Sequence, residues 1–282
     1  MHTPVMLCSD LDRTILPNGA EPESPRARPL LHAVAARDEL VLAYVSGRHE
    51  GLLREAIEQY QIPIPNFAIG DVGTTIYEVG PNQLWQAWSA WSRDIAPDWN
   101  GATRQDLAAL LTGLPALRLQ EDAKQNTFKL SYYTPVEFER EALLAEIDSR
   151  LHSQAVCASL IWSVDEAADV GLLDVLPARA TKLHAVEFLA AELGIARERL
   201  VFAGDSGNDL PVLVSGMQAV LVRNAHAEVR AQATQEVAAK GLAGKLYLAQ
   251  GDFMDMNGNY SAGVLEGLAH FVPETVRWLS EV

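Results

Sequence analysis

Short apolar runs alternate with helix-like segments over the first 81 residues and again after Pro177. The runs are apolar at nearly every position, as in strands buried on both faces of a sheet: Val5–Ser9, Leu40–Val45, Phe67–Ile69, Leu200–Ala203 and Ala219–Val222. Between them lie amphipathic segments such as Lys182–Leu193, which has apolar residues three or four positions apart and is followed by Gly194. This alternation predicts an α/β fold with a doubly wound, Rossmann-like parallel sheet.

The pattern changes between residues 82 and 170. Strand-like runs at Thr127–Tyr133 and Ser159–Ser163 are separated by a whole helix-like segment, and neither is followed by an acidic loop. We therefore predict two domains, a core formed by residues 1–81 and 171–282 and an inserted α+β domain over residues 82–170.

Three tryptophans stand at helical spacing where the inserted segment begins. Trp85, Trp88 and Trp91 are three positions apart. Such a stripe is more often a packed face of a helix than a platform for carbohydrate stacking. We therefore predict that these side chains pack into a core.

Two acidic loops, far apart in the sequence, each follow an apolar run of the core. The first contains Asp10 and Asp12, and the second contains Asp205 and Asp209. Residues just beyond the carboxyl ends of parallel strands line the ligand crevice of such a sheet, so we expect these carboxylates to meet. Carboxylates that meet repel one another unless a cation lies among them, and hard oxygen ligands suit Mg²⁺ together with a substrate phosphate. The two loops predict an Mg²⁺-assisted phosphoryl-transfer site.

Ser46 and Lys182 would lie at the same crevice. Ser46 directly follows the run Leu40–Val45, and Lys182 is in the first turn of its helix, where backbone N–H groups favour an anion. Either residue alone is more often a cap or a solvated charge. Together with the acidic loops they supply the positioning and charge neutralisation that phosphoryl transfer requires.

Charge and cysteine usage exclude several classes of protein. The net charge of −15 argues against binding to the phosphate backbone of nucleic acids. Cys8 and Cys157 both lie near apolar runs, and we predict that both are buried free thiols, which suits a reducing compartment. The sequence shows neither a signal-peptide pattern nor an apolar run long enough to span a bilayer. We therefore predict a cytoplasmic protein that binds neither nucleic acid nor a membrane.

These motifs resemble those of a known superfamily. Asp10-x-Asp12-x-Thr14, Ser46, Lys182 and Gly204–Asp209 are similar, in order and context, to the four motifs of the haloacid dehalogenase-like phosphatases. The insertion between Ser46 and Lys182 resembles the type-IIB (C2B) cap. Within that group the chain is most similar to the sucrose-phosphate phosphatase family over nearly its whole length. Further matching segments are Ser46–Arg48, Val72–Tyr77, Phe128–Tyr132, Leu173–Pro177 and Val222–Ala225.

The resemblance implies a role for each matching residue. Asp10 would be the nucleophile that forms an aspartyl-phosphate, and Asp12 the general acid and base. Mg²⁺ would be the cofactor, held by Asp10, the backbone carbonyl of Asp12 and Asp205. The remaining implied roles are phosphate binding by Ser46 and Lys182, orientation of the site by Asp209, and substrate contacts by Gly47, Arg48, Asn208 and the cap residue Lys129.

The leading interpretation is an Mg²⁺-dependent phosphatase that acts on a small-molecule sugar phosphate. Sucrose 6-phosphate is the first candidate substrate, and a glycosyltransferase is a candidate partner. The alternatives are a phosphatase of another glycosylated metabolite such as mannosylfructose phosphate, a type-IIB phosphomutase, and a non-catalytic sugar-phosphate-binding partner of a glycosyltransferase. Asp12 argues against the last of these, because a binding module needs no proton donor.

Two positions depart from the family pattern. Arg13 stands where many relatives have Gly or Asn. Thr75 stands where sucrose-phosphate phosphatases often have Glu, and mannosylfructose-phosphate phosphatases also have a Val-Gly-Thr segment there. The first departure predicts an added contact of the Asp12 loop, and the second leaves the sugar open.

Overall fold

The computed structural model describes residues 4–165 and 168–281. Its strands are β1 (Val5–Ser9), β2 (Leu40–Val45), β3 (Phe67–Gly70), β4 (Thr75–Val79), β5 (Trp85–Ala87), β6 (Arg118–Leu119), β7 (Leu130–Thr134), β8 (Ala158–Asp165), β9 (Val170–Pro177), β10 (Leu200–Gly204), β11 (Gln218–Leu221) and β12 (Leu246–Leu248). Its helices are α1 (Ala27–Ala35), α2 (Glu50–Tyr60), α3 (Ser89–Ile95), α4 (Arg104–Leu110), α5 (Arg140–His152), α6 (Lys182–Glu192), α7 (Leu210–Leu213), α8 (Ala227–Ala239), α9 (Ser261–Phe271) and α10 (Thr275–Ser280).

The chain divides into two compact units. Residues up to Ala87 and from Lys182 onward form the core unit, and Trp88–Thr181 form the cap unit. The sequence placed these boundaries at residues 81/82 and 170/171. They differ because β5 pairs with β4 in the sheet of the core unit, whereas β9 pairs with β7 and β8 in the sheet of the cap unit.

The core unit is built on a sheet with the strand order β12-β11-β10-β1-β2-β3-β4-β5. The strands from β12 to β3 are parallel, which confirms the predicted α/β fold. The β3–β4 and β4–β5 pairs are antiparallel instead, because tight turns at Asp71–Gly73 and Pro81–Gln83 each return the chain directly beside the preceding strand. A short turn can connect only antiparallel neighbours, whereas a parallel pair needs a long crossover.

Strand order places the predicted site residues on three neighbouring strands. Strand β1 lies between β10 and β2, and its residues are all buried, as expected of a central strand covered on both faces. Ser9 pairs with Ala203 of β10 and with Tyr44 of β2, so the three strands end at the same edge of the sheet. Asp10, Ser46 and Asp205 follow these ends directly, which brings the two acidic loops and Ser46 to one crevice.

The cap unit is an α+β structure, as predicted. Its antiparallel sheet has the order β6-β7-β9-β8 and packs with α4 and α5 around buried residues that include Trp99, Leu107, Ile147 and Leu173. Helix α4 begins at a capping box, in which the Thr103 hydroxyl accepts from the Asp106 backbone N–H while the Asp106 carboxylate accepts from the Thr103 backbone N–H.

Two local predictions need correction. The predicted packing holds for Trp91, which is fully buried, and for Trp85, which is partly buried against the hydrophobic core of the core unit. The expected shared helix face is wrong, because Trp85 lies in β5 and only Trp91 lies within α3. Cys8 is buried in β1, but Cys157 is exposed. It lies one residue before β8, the outer strand of the cap sheet, where burial on both sides is not enforced.

Within the described residues, no helix has the length and apolar character that crossing a bilayer requires.

Candidate active site

The loops after β1, β2 and β10 enclose a pocket of about 510 Å³ in the core unit. Its walls include Asp10, Asp12, Arg13, Ser46, Gly47, Arg48, Leu52, Asp205, Ser206, Asn208 and His226. Every site residue that the sequence predicted in the core either lines this pocket or contacts a residue that does, through the links described below.

Lys182 joins the two acidic loops. Its Nζ donates to Asp10 Oδ1 at 2.7 Å and to Asp209 Oδ1 at 2.8 Å, and its side chain is only 12% exposed. Burial disfavours the ammonium charge, but the two carboxylates outweigh it and hold the pKa of Lys182 above its ordinary value. Lys182 is therefore a fixed positive charge beside the Asp10 carboxylate, where the oxygens of a transferred phosphoryl group would need one.

Asp209 organises the second acidic loop. It is fully buried, and its Oδ2 accepts from the backbone N–H groups of Asp205 and Ser206 at 3.2 Å each. With Oδ1 bound to Lys182, both carboxylate oxygens have partners inside the protein. Gly204 permits this packing, because a Cβ at that position would lie 2.7 Å from the Asp209 carboxylate. These contacts suit a residue that orients its neighbours.

A cluster of acidic oxygens in this pocket fits a divalent cation. Over the chain segments that the structure describes, carboxylate oxygens of Asp10, Asp205 and Asp209 lie within 4.8 Å of one another. Asp205 Oδ2 is buried without a hydrogen-bond partner among these residues, and Arg13 Nε lies 3.6 Å away, beyond hydrogen-bond distance. A buried oxygen without a donor is costly unless a cation satisfies it, and hard carboxylate ligands suit Mg²⁺.

The pKa values of the same carboxylates reflect their crowding. Burial is the main cause that raises the pKa of Asp10 to about 7; Lys182 opposes it, and the charges of Asp209 and Asp205 add to it. Burial, then the charge of Asp209, raises the pKa of Asp205 to about 6. Near neutral pH the protein alone neutralises this cluster incompletely, so a bound cation would stabilise the ionised forms.

Asp12 is held by a bidentate ion pair. Arg48 Nε donates to Asp12 Oδ2 at 2.9 Å and Arg48 Nη2 donates to Oδ1 at 2.6 Å, while Asn18 Nδ2 also donates to Oδ1 at 2.7 Å. Burial alone would raise the pKa of Asp12, but the hydrogen bonds and charge of Arg48 outweigh it and leave the pKa below its ordinary value. In this arrangement Asp12 is ionised and able to accept a proton.

The other predicted phosphate and substrate contacts of the core lie at the same pocket. The Ser46 side chain is nearly buried, and its Oγ accepts from the Arg48 backbone N–H at 3.2 Å. Gly47 is exposed between them, and a Cβ there would meet no atom within 4 Å. Asn208 Oδ1 accepts from Lys182 Nζ at 3.3 Å and from Ser206 Oγ at 2.9 Å.

Lys129 belongs to the cap unit and has a partner there. Its Nζ lies 3.9 Å from Asp174 Oδ1, and both side chains are mostly buried. Asp174 also accepts a hydrogen bond from the Ser131 hydroxyl of the neighbouring strand. Lys129 is therefore not a freely exposed lysine of an edge strand, since β7 lies between β6 and β9 and Lys129 immediately precedes it.

The structure adds residues at or next to the pocket to which the sequence alone assigned no role. Thr14 Oγ1 donates to Asp205 Oδ1 at 3.2 Å, and Asn18 supports Asp12 from the segment that follows the first acidic loop. His226 Nε2 lies 2.8 Å from Arg13 Nη1. The Pro17-Asn18-Gly19 turn was a signal for a tight return of the chain, but the sequence contained no comparable signal for His226.

The family model described as Sucrose-6F-phosphate phosphohydrolase matches residues 3–272. The chain belongs to this family. A sucrose-6F-phosphate phosphohydrolase is a phosphoric monoester hydrolase, so the chain is a phosphatase of sugar phosphates.

Individual relatives of this phosphohydrolase agree with the assignment. The chain is 54% identical over 279 residues, 99% of its length and 75% of the relative's, to a protein of Nitrosococcus oceani named "Putative HAD-like hydrolase". It is 26% identical to the mannosylfructose-phosphate phosphatase of Agrobacterium fabrum, with 94% of this chain and 96% of that protein covered. The structure is similar to that of the sucrose-phosphatase from Synechocystis sp. PCC6803 in complex with sucrose and phosphate, with a TM-score of 0.70, 26% identity, and coverage of 96% of this chain and 98% of the other. The haloacid dehalogenase-like fold predicted from the motifs is thus confirmed.

Proposed function

We propose that this phosphohydrolase hydrolyses sucrose 6-phosphate with the help of Mg²⁺, through an aspartyl-phosphate formed on Asp10. The observation that carries the proposal is the placement of the Asp10 carboxylate between Lys182 at 2.7 Å and the acidic cluster with Asp205. A carboxylate so placed is a nucleophile next to a fixed cation and a cation site.

The reaction takes place in two steps. In the first, an Asp10 oxygen attacks phosphorus, the bond from phosphorus to the sugar oxygen breaks, and Asp12 gives its proton to that departing oxygen. In the second, Asp12 takes a proton from a water molecule, the water oxygen attacks phosphorus, and the bond to Asp10 breaks to release inorganic phosphate. Lys182 and Ser46 bind the phosphoryl oxygens in both steps, since each offers a donor at the pocket.

The ion pair of Asp12 with Arg48 bears on the first step. An aspartate held by two guanidinium hydrogen bonds is ionised and cannot protonate a leaving group. The acid role therefore requires Asp12 to leave Arg48 when substrate binds, and an incoming phosphate dianion offers Arg48 an alternative bidentate partner. The same carboxylate, once deprotonated, is the base of the second step.

Asp10, Asp205 and the backbone carbonyl of Asp12 would hold the Mg²⁺ ion. When bound, Mg²⁺ supplies positive charge that offsets the repulsion between the attacking carboxylate and the anionic phosphoryl group. Asp209 is left out of this set because both of its oxygens have partners in the protein.

Removal of Mg²⁺ should abolish turnover and lower thermal stability. A ligand that binds only the folded state at about 100 times its Kd stabilises it by about 2.7 kcal/mol, so we expect Mg²⁺ to raise the Tm by several degrees, on the order of 5 °C. Chelator-treated protein should regain both the rate and the Tm with Mg²⁺.

The control for this experiment is Asp205→Asn, which weakens the cation site and should lose most of the Tm response. Full activity in excess chelator, or an equal Tm response in Asp205→Asn, would contradict the metal assignment.

Sucrose 6-phosphate is favoured over other sugar phosphates by the family match and by the solved relative that binds sucrose and phosphate. Mannosylfructose phosphate is the main alternative, because the match to the mannosylfructose-phosphate phosphatase of Agrobacterium fabrum covers 94% of this chain and 96% of that protein. Phosphate release from a panel that contains both disaccharide phosphates, trehalose 6-phosphate and glucose 6-phosphate tests the choice. Sucrose 6-phosphate should have the highest kcat/KM by at least about tenfold, the effect of one or two lost hydrogen bonds. A higher value for any other member would replace the substrate, and no release from sucrose 6-phosphate would refute it as the substrate.

We further propose that Lys129 of the cap recognises the sugar. Lys129→Ala should lower kcat/KM for the disaccharide phosphate roughly 10- to 100-fold, because one charged hydrogen bond contributes about 1.5–3 kcal/mol. Hydrolysis of a small aryl phosphate, which lacks the sugar, should change by less than about twofold. Initial rates on both substrates provide the measurement.

Lys124→Ala is the matched control, since this lysine also lies in the cap but is half-exposed and binds the Tyr133 hydroxyl. It should leave both rates near wild type. Equal losses on both substrates in Lys129→Ala would assign Lys129 to folding through Asp174 instead of to sugar recognition.

A cytoplasmic location and a glycosyltransferase partner stay predictions from the sequence.

A further inference from the structure

Arg13 occupies an unusual backbone position between Asp12 and Thr14. Its φ is +59°, in the left-handed region that most residues avoid and that glycine and asparagine accept more readily. The backbone is held there from both sides: the Arg13 N–H donates to Asn18 Oδ1 at 2.8 Å, and the Arg13 carbonyl accepts from Asn224 Nδ2 at 2.6 Å. An arginine kept in this conformation by its neighbours suggests a role for its side chain.

The side chain directs a positive charge at the acidic cluster. Arg13 Nε lies 3.6 Å from Asp205 Oδ2, and Arg13 Nη1 lies 2.8 Å from His226 Nε2, which acts as the acceptor. Nε and Oδ2 are both buried, and neither atom has a hydrogen-bond partner among the described residues, so the two atoms face each other across 3.6 Å. Among the described residues, Asp205 is the carboxylate with which Arg13 forms an ion pair.

The balance of charges in the pocket gives this contact its significance. The carboxylates of Asp10, Asp12, Asp205 and Asp209 face the cations of Lys182, Arg48 and Arg13. Without Arg13 the protein part of the pocket would be one unit more negative. A divalent cation would then bind more tightly, and a phosphate dianion would bind less tightly, because like charges repel and opposite charges attract.

We propose that Arg13 is a positioning residue that sets this balance through Asp205: it weakens Mg²⁺ binding and strengthens binding of the phosphoryl group and of the product phosphate. The inference rests on the proposed function, because it concerns the same cation and the same anion. A residue that only supported the loop would not act in opposite directions on the two ligands.

The test is Arg13→Asn, which removes the charge and keeps a residue suited to the left-handed backbone. We expect the Kd of Mg²⁺ for the substrate-free protein, measured by calorimetry, to fall about three- to tenfold, the size expected of one partly exposed charge at this range. The inhibition constant of inorganic phosphate at saturating Mg²⁺ should rise by a similar factor. Arg13→Lys, which keeps the charge, should lie near wild type on both scales.

Arg37→Asn provides a matched removal of one positive charge. Arg37 precedes β2, at the edge of the sheet opposite to the pocket, and pairs with Glu39 and Glu281. Arg37→Asn should change neither the Kd of Mg²⁺ nor the inhibition constant of phosphate by more than about twofold, because charges farther apart than a Debye length are screened.

Three results would overturn the inference: both constants of Arg13→Asn shift toward weaker binding, neither shifts, or Arg13→Lys behaves like Arg13→Asn. Failure of the proposed function looks different. In that case the wild-type protein itself would bind no Mg²⁺ in the millimolar range, and the inference would fall with it.

Discussion

Asp10→Asn should abolish turnover of sugar phosphates, with a loss of at least about 10⁴-fold in kcat, the scale seen when a catalytic nucleophile is removed. The amide cannot attack phosphorus, yet it keeps the shape of the carboxylate and can still lie beside Lys182. Substrate should still bind the variant at saturating Mg²⁺, since one negative charge that faces the phosphate is gone. Phosphate release and calorimetric substrate titration measure the two effects separately.

The covalent intermediate offers a second readout of the same change. In acid-quenched wild-type protein, borohydride should reduce the phosphorylated side chain to homoserine at position 10, which peptide mass spectrometry detects. Asp38→Asn is a matched control, because Asp38 is exposed and precedes β2 at the opposite edge of the sheet. Asp10→Asn activity within about tenfold of wild type, or modification at another aspartate, would refute the assignment of the nucleophile.

Asp12→Asn should slow hydrolysis of the sugar phosphate by about 10²- to 10⁴-fold, the usual contribution of general acid–base catalysis. The sugar alkoxide is a poor leaving group and needs a proton, whereas the phenolate of an aryl phosphate can leave without one. With an aryl phosphate the first step should therefore stay fast while attack by water becomes slow. We expect a burst of phenol about equal to the enzyme concentration, followed by a slow steady state, in a rapid-mixing experiment.

The burst separates the two roles of Asp12. If the burst is absent and Asp12→Asn slows both kinds of substrate equally, the substitution disturbs the pocket through Arg48 and Asn18 instead of removing a proton donor. Asn18→Ala serves as the control for this disturbance, because it removes a support of Asp12 while the carboxylate remains. Near-normal rates of Asp12→Asn on the sugar phosphate would contradict the acid–base role altogether.

Much of the site could be predicted because it consists of residues that directly follow strands. The apolar runs before Asp10, Ser46 and Asp205 marked three buried strands, and parallel strands bring their carboxyl ends to one edge. Lys182 could be placed as well, since Gly194 and the apolar spacing indicated a helix that begins there. For these residues, local pattern and chain direction were sufficient.

Other features depended on choices that a local pattern does not encode. Strands β4 and β5 are short and include polar residues such as Glu78 and Gln86, and the tight turn before each of them made its pairing antiparallel. Trp85 and Trp91 had helical spacing, yet hydrogen bonds with β4 placed Trp85 in a strand. Cys157 was next to an apolar run, but it immediately precedes β8, which is an edge strand. The Cys157 side chain is therefore exposed.

The amino-acid sequence was sufficient to predict the fold class, the inserted α+β domain and the set of acidic and basic groups around one crevice. Tertiary structure alone decided which of these groups touch: Arg48 with Asp12, Lys182 with Asp10 and Asp209, and Arg13 with Asp205. The physical reason is sequence separation. Burial and periodicity are properties of neighbouring residues along the chain. A contact such as that of Thr14 with Asp205, 191 positions apart, exists only after β1 and β10 have paired in register and fixed the loops that follow them.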